Sequence, residues 1–330
     1  MNTPCQFAFL LVNQNLASSV TGSIDLLQAA NTINQMLNPG STPLFDWVLA
    51  TETGMPVTTF SAQPQMVDLA WDQLSCPDVI FVPGVFMESL EKIPGCLDEN
   101  QPLQSQLIKW HAEDVLIATS CSASFFLAET GLLDGLPATT SWWASEYFAS
   151  RYPRIQLQAD DLLTHNGRLV CSGAAMTSLD MTLYLIRLLA GGKLAKLVSR
   201  YMLVDSNRHT QAAYRVPVQQ GIQDRLLLKA MSWIRKHLQQ EISVHDLAQA
   251  MHVSTRTLVR RFNQHTGEGP QVWIQKQRID SSRQLFETTH LSLDEIVYQV
   301  GYADVSSFRR LFKRHTGLTP REYRHRFATV

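Results

Sequence analysis

RRLFKRHTG, at residues 309–317, has a near copy fifty residues upstream in RRFNQHTG, at residues 260–267. Arg310, Phe312, His315 and Gly317 of the later stretch each follow an identical residue by fifty positions. Pro270 and Pro320 keep the same offset. A repeat at a fixed offset indicates one small structural unit that the chain uses twice. Basic and apolar positions at helical spacing, followed by glycine, predict that the unit contains a helix with a basic outer face.

The charge of the chain is distributed unevenly. Among 330 residues, 45% are hydrophobic and 17% are charged, which is typical of a soluble globular protein with room for two domains. Residues 1–221 carry 11 Lys and Arg against 19 Asp and Glu, whereas residues 222–330 carry 17 against 10. A basic module attached to an acidic globule predicts a polyanionic partner for the module alone. On charge alone, a solvated basic surface is the alternative.

The cysteines and the hydropathy exclude several classes. Five cysteines, odd in number and widely spaced within the first part, indicate a reduced compartment rather than a disulfide framework. No CxxC or CxxH spacing suggests zinc, and no apolar run reaches the roughly 18 residues of a membrane span. We therefore expect a cytoplasmic protein that needs no metal and no cofactor.

The first part alternates between strand and helix patterns. Continuous apolar runs of strand length predict buried strands at Phe7–Val12, Phe45–Thr51, Val79–Val82 and Val115–Ala118. Helical spacing separates them, for example at Leu103–His111. This alternation predicts an α/β doubly wound parallel sheet. The polar stretch at residues 205–221 has linker composition, so we expect domains at residues 1–204 and 222–330.

Two predicted strand ends carry chemically informative residues, because ligands of such sheets lie beyond the carboxyl ends of strands. Gly84 follows one strand, and its small size lets the backbone come close to a bound group. Cys121 lies where another strand turns sharply into a helix at Ser124–Thr130. A thiolate is favoured near a helix N-terminus, which makes Cys121 a candidate nucleophile. The alternative is a small residue tolerated at a tight turn.

Residues 118–135, ATSCSASFFLAETGLLDG, with ATTSW at residues 138–142, resemble the elbow of the class I glutamine-amidotransferase-like fold, PfpI branch. The resemblance covers about the first 200 residues. Catalytic members pair the elbow cysteine with a histidine, and the matching position here is Ser141. An acidic residue of some members falls near Ser18 or Ser19. Since a thiol needs a base or a lowered pKa, the resemblance implies a pocket without catalytic residues.

The same resemblance implies a ligand pocket around the elbow. Its predicted ligand-binding residues are Asp25, Gly84, Cys121, Ser122, Ser141, Trp142 and Gly173. Trp142 and Trp143 could face a cationic, nitrogenous ligand, with Asp25 as the counter-charge. Alternatively, both tryptophans pack in the core or an interface, and Asp25 only begins a helix.

The second part has the spacing of two helix-turn-helix units. Ser243 precedes a short apolar helix pattern, and Ser254 can cap a second helix at Thr255–His265. The unit recurs from Ser292, through a second helix at Val305–His315. The offset is 49 in the first helix and 50 in the second, so the later turn has one extra residue. The sequence therefore predicts an all-α domain that contains two helix-turn-helix units.

This part closely resembles the AraC-type DNA-binding domain, most diagnostically over residues 301–324. An amidotransferase-like domain before it is the arrangement of the GlxA-like branch, which implies a transcription factor. The resemblance implies double-stranded DNA, a small-molecule effector and a second copy bound through the first domain as partners. RNA polymerase is a further candidate partner, and activation is the more common outcome in this family. A helical bundle with a basic surface is the alternative.

The helix faces predict which side chains contact DNA. The outward residues are Thr255, Arg256, Val259 and Arg260 in the first unit, and Ser306, Ser307, Arg309, Arg310 and Lys313 in the second. Arginine can bind guanine through two hydrogen bonds, whereas we expect Lys313 to contact phosphate. The competing function is a cysteine-dependent amidotransferase or hydrolase fused to a DNA-binding module. An architectural DNA binder would leave the first 200 residues without a role.

Overall fold

The computed structural model describes residues 3–205, 208, 210–215 and 224–328. The chain divides into two compact units, Met1–Gln211 and Ala212–Val330. Within the described ranges, every helix is too short or too polar to cross a membrane.

The first unit contains short strands and helices in alternation. Its strands are β1 (Cys5–Leu10), β2 (Phe45–Thr51), β3 (Val57–Thr58), β4 (Pro64–Gln65), β5 (Leu69–Ala70), β6 (Val79–Val82), β7 (Leu116–Ser120), β8 (Pro137–Ala138), β9 (Gln156–Leu157), β10 (Leu163–Asn166) and β11 (Leu169–Ser172). Its helices are α1 (Ala17–Leu37), α2 (Ile93–Glu99), α3 (Gln101–Ala112), α4 (Ser124–Glu129), α5 (Ser145–Arg151), α6 (Thr177–Ala190) and α7 (Gly192–Tyr201).

The main sheet has seven strands in the order β10-β11-β7-β6-β1-β2-β5. All neighbours are parallel except the antiparallel pair β10 and β11. β6 and the facing half of β1 are fully buried, as expected for strands covered on both faces. The predicted doubly wound α/β sheet is confirmed. Its strand order reverses between β1 and β6, where such sheets form their crevice.

Apolar side chains fill both faces of the sheet. On one face, Phe9, Phe81, Ala118 and Val170 form a core with residues of α1, α6 and α7. On the other face, side chains such as Phe125 pack with residues of α2 to α5. Because side chains alternate along a strand, each strand contributes to both cores. The carboxyl ends of the strands remain free to carry functional groups.

The second unit is helical. Its helices are α8 (Arg225–His237), α9 (Val244–Ala250), α10 (Thr255–Thr266), α11 (Pro270–Thr288), α12 (Leu293–Gln299), α13 (Val305–Thr316) and α14 (Pro320–Phe327). The predicted caps are present, since Ser243 and Ser292 form capping boxes and Ser254 accepts from the Thr257 amide. α9 with α10, and α12 with α13, form the two helix-turn-helix units. Each unit has its own apolar core, around Phe262 in the first and Phe312 in the second.

The structure differs from the sequence prediction around residues 205–221. Gln211 is buried in the first unit, while Ala212 and Ala213 are buried in the second. The first unit therefore extends beyond residue 204, because this polar stretch contains side chains that find buried partners. Residues 216–223 lie outside the described residues, so their role as a linker stays a prediction. The sequence prediction also omitted the helices α2, α5, α7 and α14.

Candidate functional site

The predicted DNA-contact residues share the outer faces of α10 and α13. Thr255, Arg256 and Arg260 are exposed and Val259 is half-buried, while Leu258 and Phe262 point into the core. In α13, Ser306, Ser307, Arg309, Arg310 and Lys313 are all exposed, and Phe308 and Phe312 are buried. The alternation arises because residues three and four apart share one face of a helix. Both faces are therefore open to a partner.

Local hydrogen bonds position the first turn of α13. Asp304 accepts from the backbone amides of Ser306 and Ser307 at 3.1 and 2.8 Å. Arg310 Nη2 in turn donates to Ser307 Oγ at 3.1 Å. Hydrogen bonds from Ser307 hold the pKa of Asp304 below its usual value, so the cap is ionised at neutral pH. Arg310 is thereby held at the N-terminal half of its helix, the part that reaches base edges in helix-turn-helix proteins.

Asn263 was missed in the sequence. It lines a shallow depression on α10 together with Thr255, Arg256, Val259 and Arg260. The signal was present, because Asn263 lies fifty residues before Lys313 and three after Arg260, on the same face. The outer face of α10 therefore has a neutral residue, Asn263, where the outer face of α13 has the basic Lys313.

Cys121 lies at a strained elbow between β7 and α4. Its φ is 58°, in the left-handed region that non-glycine residues rarely adopt. Gly84 packs against it so closely that a Cβ at residue 84 would lie 2.9 Å from Cys121 Cβ. Ser122 Oγ donates to the Val85 carbonyl and ties the elbow to the end of β6. The backbone at Gly84 thus comes close to the elbow at Cys121, whereas the sequence predicted a close approach to a bound group.

The thiol of Cys121 is sealed from solvent. Cys121 is 5% exposed, and its Sγ lies 2.9 Å from Ser141 Oγ, where catalytic relatives of this fold would carry a histidine. Burial raises the pKa of the Cys121 thiol, although the hydrogen bond with Ser141 opposes the shift. Burial thus favours the neutral thiol, whereas the sequence suggested that the nearby helix N-terminus would favour thiolate. The neighbouring hydroxyl of Ser141 is not a base.

Gln211 completes the elbow region and was not predicted. It is 2% exposed, and its Nε2 donates to the Thr140 carbonyl at 2.8 Å. Its Oε1 accepts from the Ala174 amide at 3.2 Å. The predicted ligand residue Gly173 leaves room for this side chain, because a Cβ there would lie 2.6 Å from Gln211 Oε1. Gln211 thus occupies the space beside Gly173 that we expected a ligand to fill.

The other predicted ligand residues lie in different surroundings. Trp142 follows Ser141 and is half-buried, and Trp143 packs against one of the two cores of the sheet. Asp25 is exposed two turns into α1, on the side that faces away from the sheet, and so the structure does not bring it to the elbow. His165, one of the two histidines of the first unit whose placement is described, bonds Tyr184 and the Gly167 carbonyl instead.

A cleft of about 650 Å³ lies at the carboxyl ends of β1, β2 and β6. Its lining includes the aromatic side chains of Trp71 and Phe86 and the carboxylates of Glu52, Glu88, Glu91 and Glu99, with Lys92 as the cation. Lys92 pairs with Glu88. The cleft has the size of a small-molecule site and follows the point where the strand order reverses. The predicted ligand residues do not line it.

Comparisons with known proteins agree with both units. A family described as a helix-turn-helix domain matches residues 247–326. The HTH-type transcriptional regulator CdhR of Pseudomonas aeruginosa is 27% identical over 320 residues, 96% of this chain and 91% of that protein. The HTH-type transcriptional activator RhaS of an Enterobacter strain is 36% identical over 101 residues, 31% of this chain and 36% of that protein.

The first unit has a known fold. The crystal structure of DJ-1beta from Drosophila melanogaster matches with a TM-score of 0.51 and 18% identity, and covers 62% of this chain and 100% of that one. An identity this low establishes the fold only. The matched helix-turn-helix region, the regulators that are similar over most of the chain and the two exposed recognition helices identify the chain as a helix-turn-helix transcriptional regulator, and its first unit has the fold of DJ-1beta.

Proposed function

We propose that this regulator binds double-stranded DNA through both recognition helices and that its first unit senses a small molecule without catalysing a reaction. The observation that carries the proposal is the pairing of two open, basic helix faces with an elbow whose thiol is sealed. α11 joins the two helix-turn-helix units, and its 19 residues span roughly 28 Å at 1.5 Å per residue. This length suits units that enter successive major grooves on one side of DNA, about 34 Å apart.

Footprinting on an operator selected from random DNA tests the DNA part. We expect two protected major-groove segments about 10 base pairs apart, one for each recognition helix. A single protected segment, unchanged when α10 is altered, would show that only one unit reads DNA.

The sealed thiol argues against the competing function, a cysteine-dependent amidotransferase or hydrolase. Nucleophilic attack needs thiolate, but burial raises the pKa of the Cys121 thiol, and the neighbouring Ser141 hydroxyl is not a base that could take its proton. We expect iodoacetamide to modify Cys121 more slowly at pH 7 than the exposed Cys76. Rapid labelling of Cys121, with a pH midpoint below that of an ordinary cysteine, would favour the enzyme.

The effector and the partners complete the proposal. A nitrogenous, cationic effector fits the acid-lined cleft, since carboxylates and aromatic faces both attract cations. Dimerisation through the first unit would cover exposed apolar side chains such as Leu188 and Leu189 on α6. Activation is supported by the similarity of the second unit to RhaS, which is a transcriptional activator, and RNA polymerase is the partner that activation would require. A ligand screen that measures DNA affinity tests the effector, and sedimentation of the full chain tests dimerisation. If a ligand changes DNA affinity, DNA must change the affinity for that ligand by the same factor.

A further inference from the structure

Four buried serines of the first unit carry hydroxyl groups without a hydrogen-bond partner among the residues that the structure describes. They are Ser19, Ser120, Ser172 and Ser178, each at most 1% exposed. Buried hydroxyls are paired in the great majority of cases, because removing them from water without a partner is unfavourable. Several unpaired hydroxyls at one place therefore indicate a polar group that binds there.

The topology brings the four hydroxyls to one end of the layer between the sheet and the helices α1 and α6. Ser120 and Ser172 are register partners at the last positions of β7 and β11. They lie two residues beyond Ala118 and Val170, which belong to the core under α1 and α6, so their side chains face the same layer.

The two helices bring the other serines to the same place. Thr182 Oγ1 in α6 donates to Ser23 Oγ in α1 at 2.8 Å. Ser178 and Ser19 lie one turn earlier in each helix and on the same face, toward the carboxyl ends of the strands. The four serines therefore form one group, which we call the hydroxyl cluster.

The electrostatics of the hydroxyl cluster favour an anion of one charge. α1 and α6 both begin beside it, and neither has a side-chain cap at its N-terminus among the described residues. Each N-terminus is equivalent to roughly half a positive charge, so the two together match a carboxylate better than a phosphate dianion. Asp180, the acidic residue in the first turn of α6, is paired with Arg208. The cluster itself consists of neutral groups that can donate hydrogen bonds.

We propose that the hydroxyl cluster binds the carboxylate group of the small-molecule effector. The cluster adjoins the elbow, since Cys121 follows Ser120 and Gly173 follows Ser172 in the chain. This inference rests on the proposed function of the first unit as a sensor. It adds that the effector is a carboxylic acid and that its acid group lies beneath the elbow, apart from the acid-lined cleft.

Acetate, the carboxylate group alone, is the probe that tests the site on the full chain. We expect sodium acetate to raise the unfolding temperature of the first unit above that in sodium chloride of equal ionic strength, because a ligand of the folded state stabilises it. Acetamide, which is neutral, should not. An acetate affinity equal to that of acetamide would overturn the proposal.

Alanine variants give a result that a purely structural role would not give. Ser120→Ala with Ser172→Ala should weaken acetate binding by at least about tenfold. Without acetate the same variant should unfold at the same or a higher temperature, because it removes two unpaired hydroxyls. The matched control is Ser145→Ala, since Ser145 Oγ donates to the Trp142 carbonyl at 2.8 Å. The control should lower the unfolding temperature and keep the acetate response.

Two further outcomes separate this proposal from the sensor function. If acetate binding survives in the Ser120→Ala, Ser172→Ala variant, or falls instead in Glu52→Gln with Glu91→Gln, the anion site lies elsewhere and the proposal is wrong. In that case a metabolite that still changes DNA affinity would leave the sensor function standing. If acetate and larger carboxylic acids bind at the hydroxyl cluster without any change in DNA affinity, the cluster is a carboxylate site and the sensor function fails.

Discussion

The two helix-turn-helix units share their apolar inner pattern and the ends of their recognition helices, and they differ at several outer positions. Both recognition helices end in the same way, with Thr266 and Thr316 bonding back to the carbonyl four residues earlier and Gly267 and Gly317 at φ of 71° and 74°. Pro270 and Pro320 then begin the next helices. At equivalent positions of the two outer faces, Val259 corresponds to Arg309 and Asn263 corresponds to Lys313. The comparison teaches that one apolar pattern fixes the unit, while the contact surface varies independently.

The turns of the two units differ as well. His252 has a φ of 55° in the first turn, and Gly301 has a φ of 81° at the equivalent position of the second. A Cβ on Gly301 would lie 2.1 Å from the Leu238 carbonyl oxygen and 3.0 Å from Arg278 Nη2. The turn of the second helix-turn-helix unit is therefore packed against Leu238, at the end of α8, and against Arg278 of α11, so it requires glycine. The turn of the first helix-turn-helix unit tolerates a side chain.

The largest expected effect tests this difference between the turns. Gly301→Ala should lower the free energy of unfolding of the second unit by about 3 kcal/mol or more, from a left-handed alanine plus a clash with backbone. His252→Gly should raise it by roughly 0.5–1 kcal/mol, because relief of strain exceeds the added chain entropy. Urea unfolding followed by far-UV circular dichroism measures both. Equal effects of the two substitutions would mean that the turns are equivalent.

The second prediction concerns the arginines at equivalent positions of the recognition helices. Arg310→Ala should cost about 1–3 kcal/mol in binding to the natural operator and relax base preference in one half of it. Arg260→Ala should do the same in the other half. Binding to operators altered in one half at a time separates the two. An unchanged affinity of Arg310→Ala for specific DNA would remove that residue from the interface.

The third prediction exchanges the outer faces at one position. Asn263→Lys should steepen the dependence of log K on log salt by about one, since one more phosphate is neutralised. Lys313→Asn should flatten it by about the same amount. The measurement is a DNA titration at several salt concentrations. Because both side chains are exposed, the unfolding temperature should not change, and a large change in it would invalidate the comparison.

The smallest expected effect concerns acid. α10 is capped by Ser254, which does not titrate in this range, and α13 by Asp304, whose pKa lies below its usual value. A carboxylate with a lowered pKa in the folded state stabilises the helix at neutral pH, and this stabilisation is lost as pH falls below about 4. Amide exchange in the first turn of α13 should therefore accelerate on acidification more than in α10. Asp304→Ser should remove the difference.

The sequence predicted the second unit well because its signals are local. Caps such as Ser292, the glycine stops and the apolar spacing around Phe312 act within one helix or one turn, so a linear pattern contains them. The contact faces follow from the same spacing, and Asn263 was missed only because the fifty-residue offset was not applied to every position. For the first unit, the pattern predicted the sheet, and the resemblance placed Ser141 at the elbow, where it contacts Cys121.

What the sequence did not predict depends on contacts between distant residues. Gln211 lies in a polar stretch that looks like linker, yet its partners are Thr140 and Ala174, 71 and 37 residues away. The burial of Cys121 by several elements, which raises the pKa of its thiol, could not be seen in the sequence, where only the neighbouring helix N-terminus is apparent. The hydroxyl cluster joins residues from two strands and two helices. No linear spacing marks such a group, because each serine taken alone is ordinary.

The shared ending of the two recognition helices has a consequence for how such regulators evolve. Thr266, Gly267 and Pro270, with their counterparts Thr316, Gly317 and Pro320, hold each unit together without using an outward side chain. After a duplication of the unit, mutations on the outer face could accumulate in one copy while the other kept its target. A regulator can then acquire a new operator by changing the DNA sequence that one recognition helix binds while the other helix keeps its own. The same independence allows the design of a chimaera in which α10 carries the outward residues of α13.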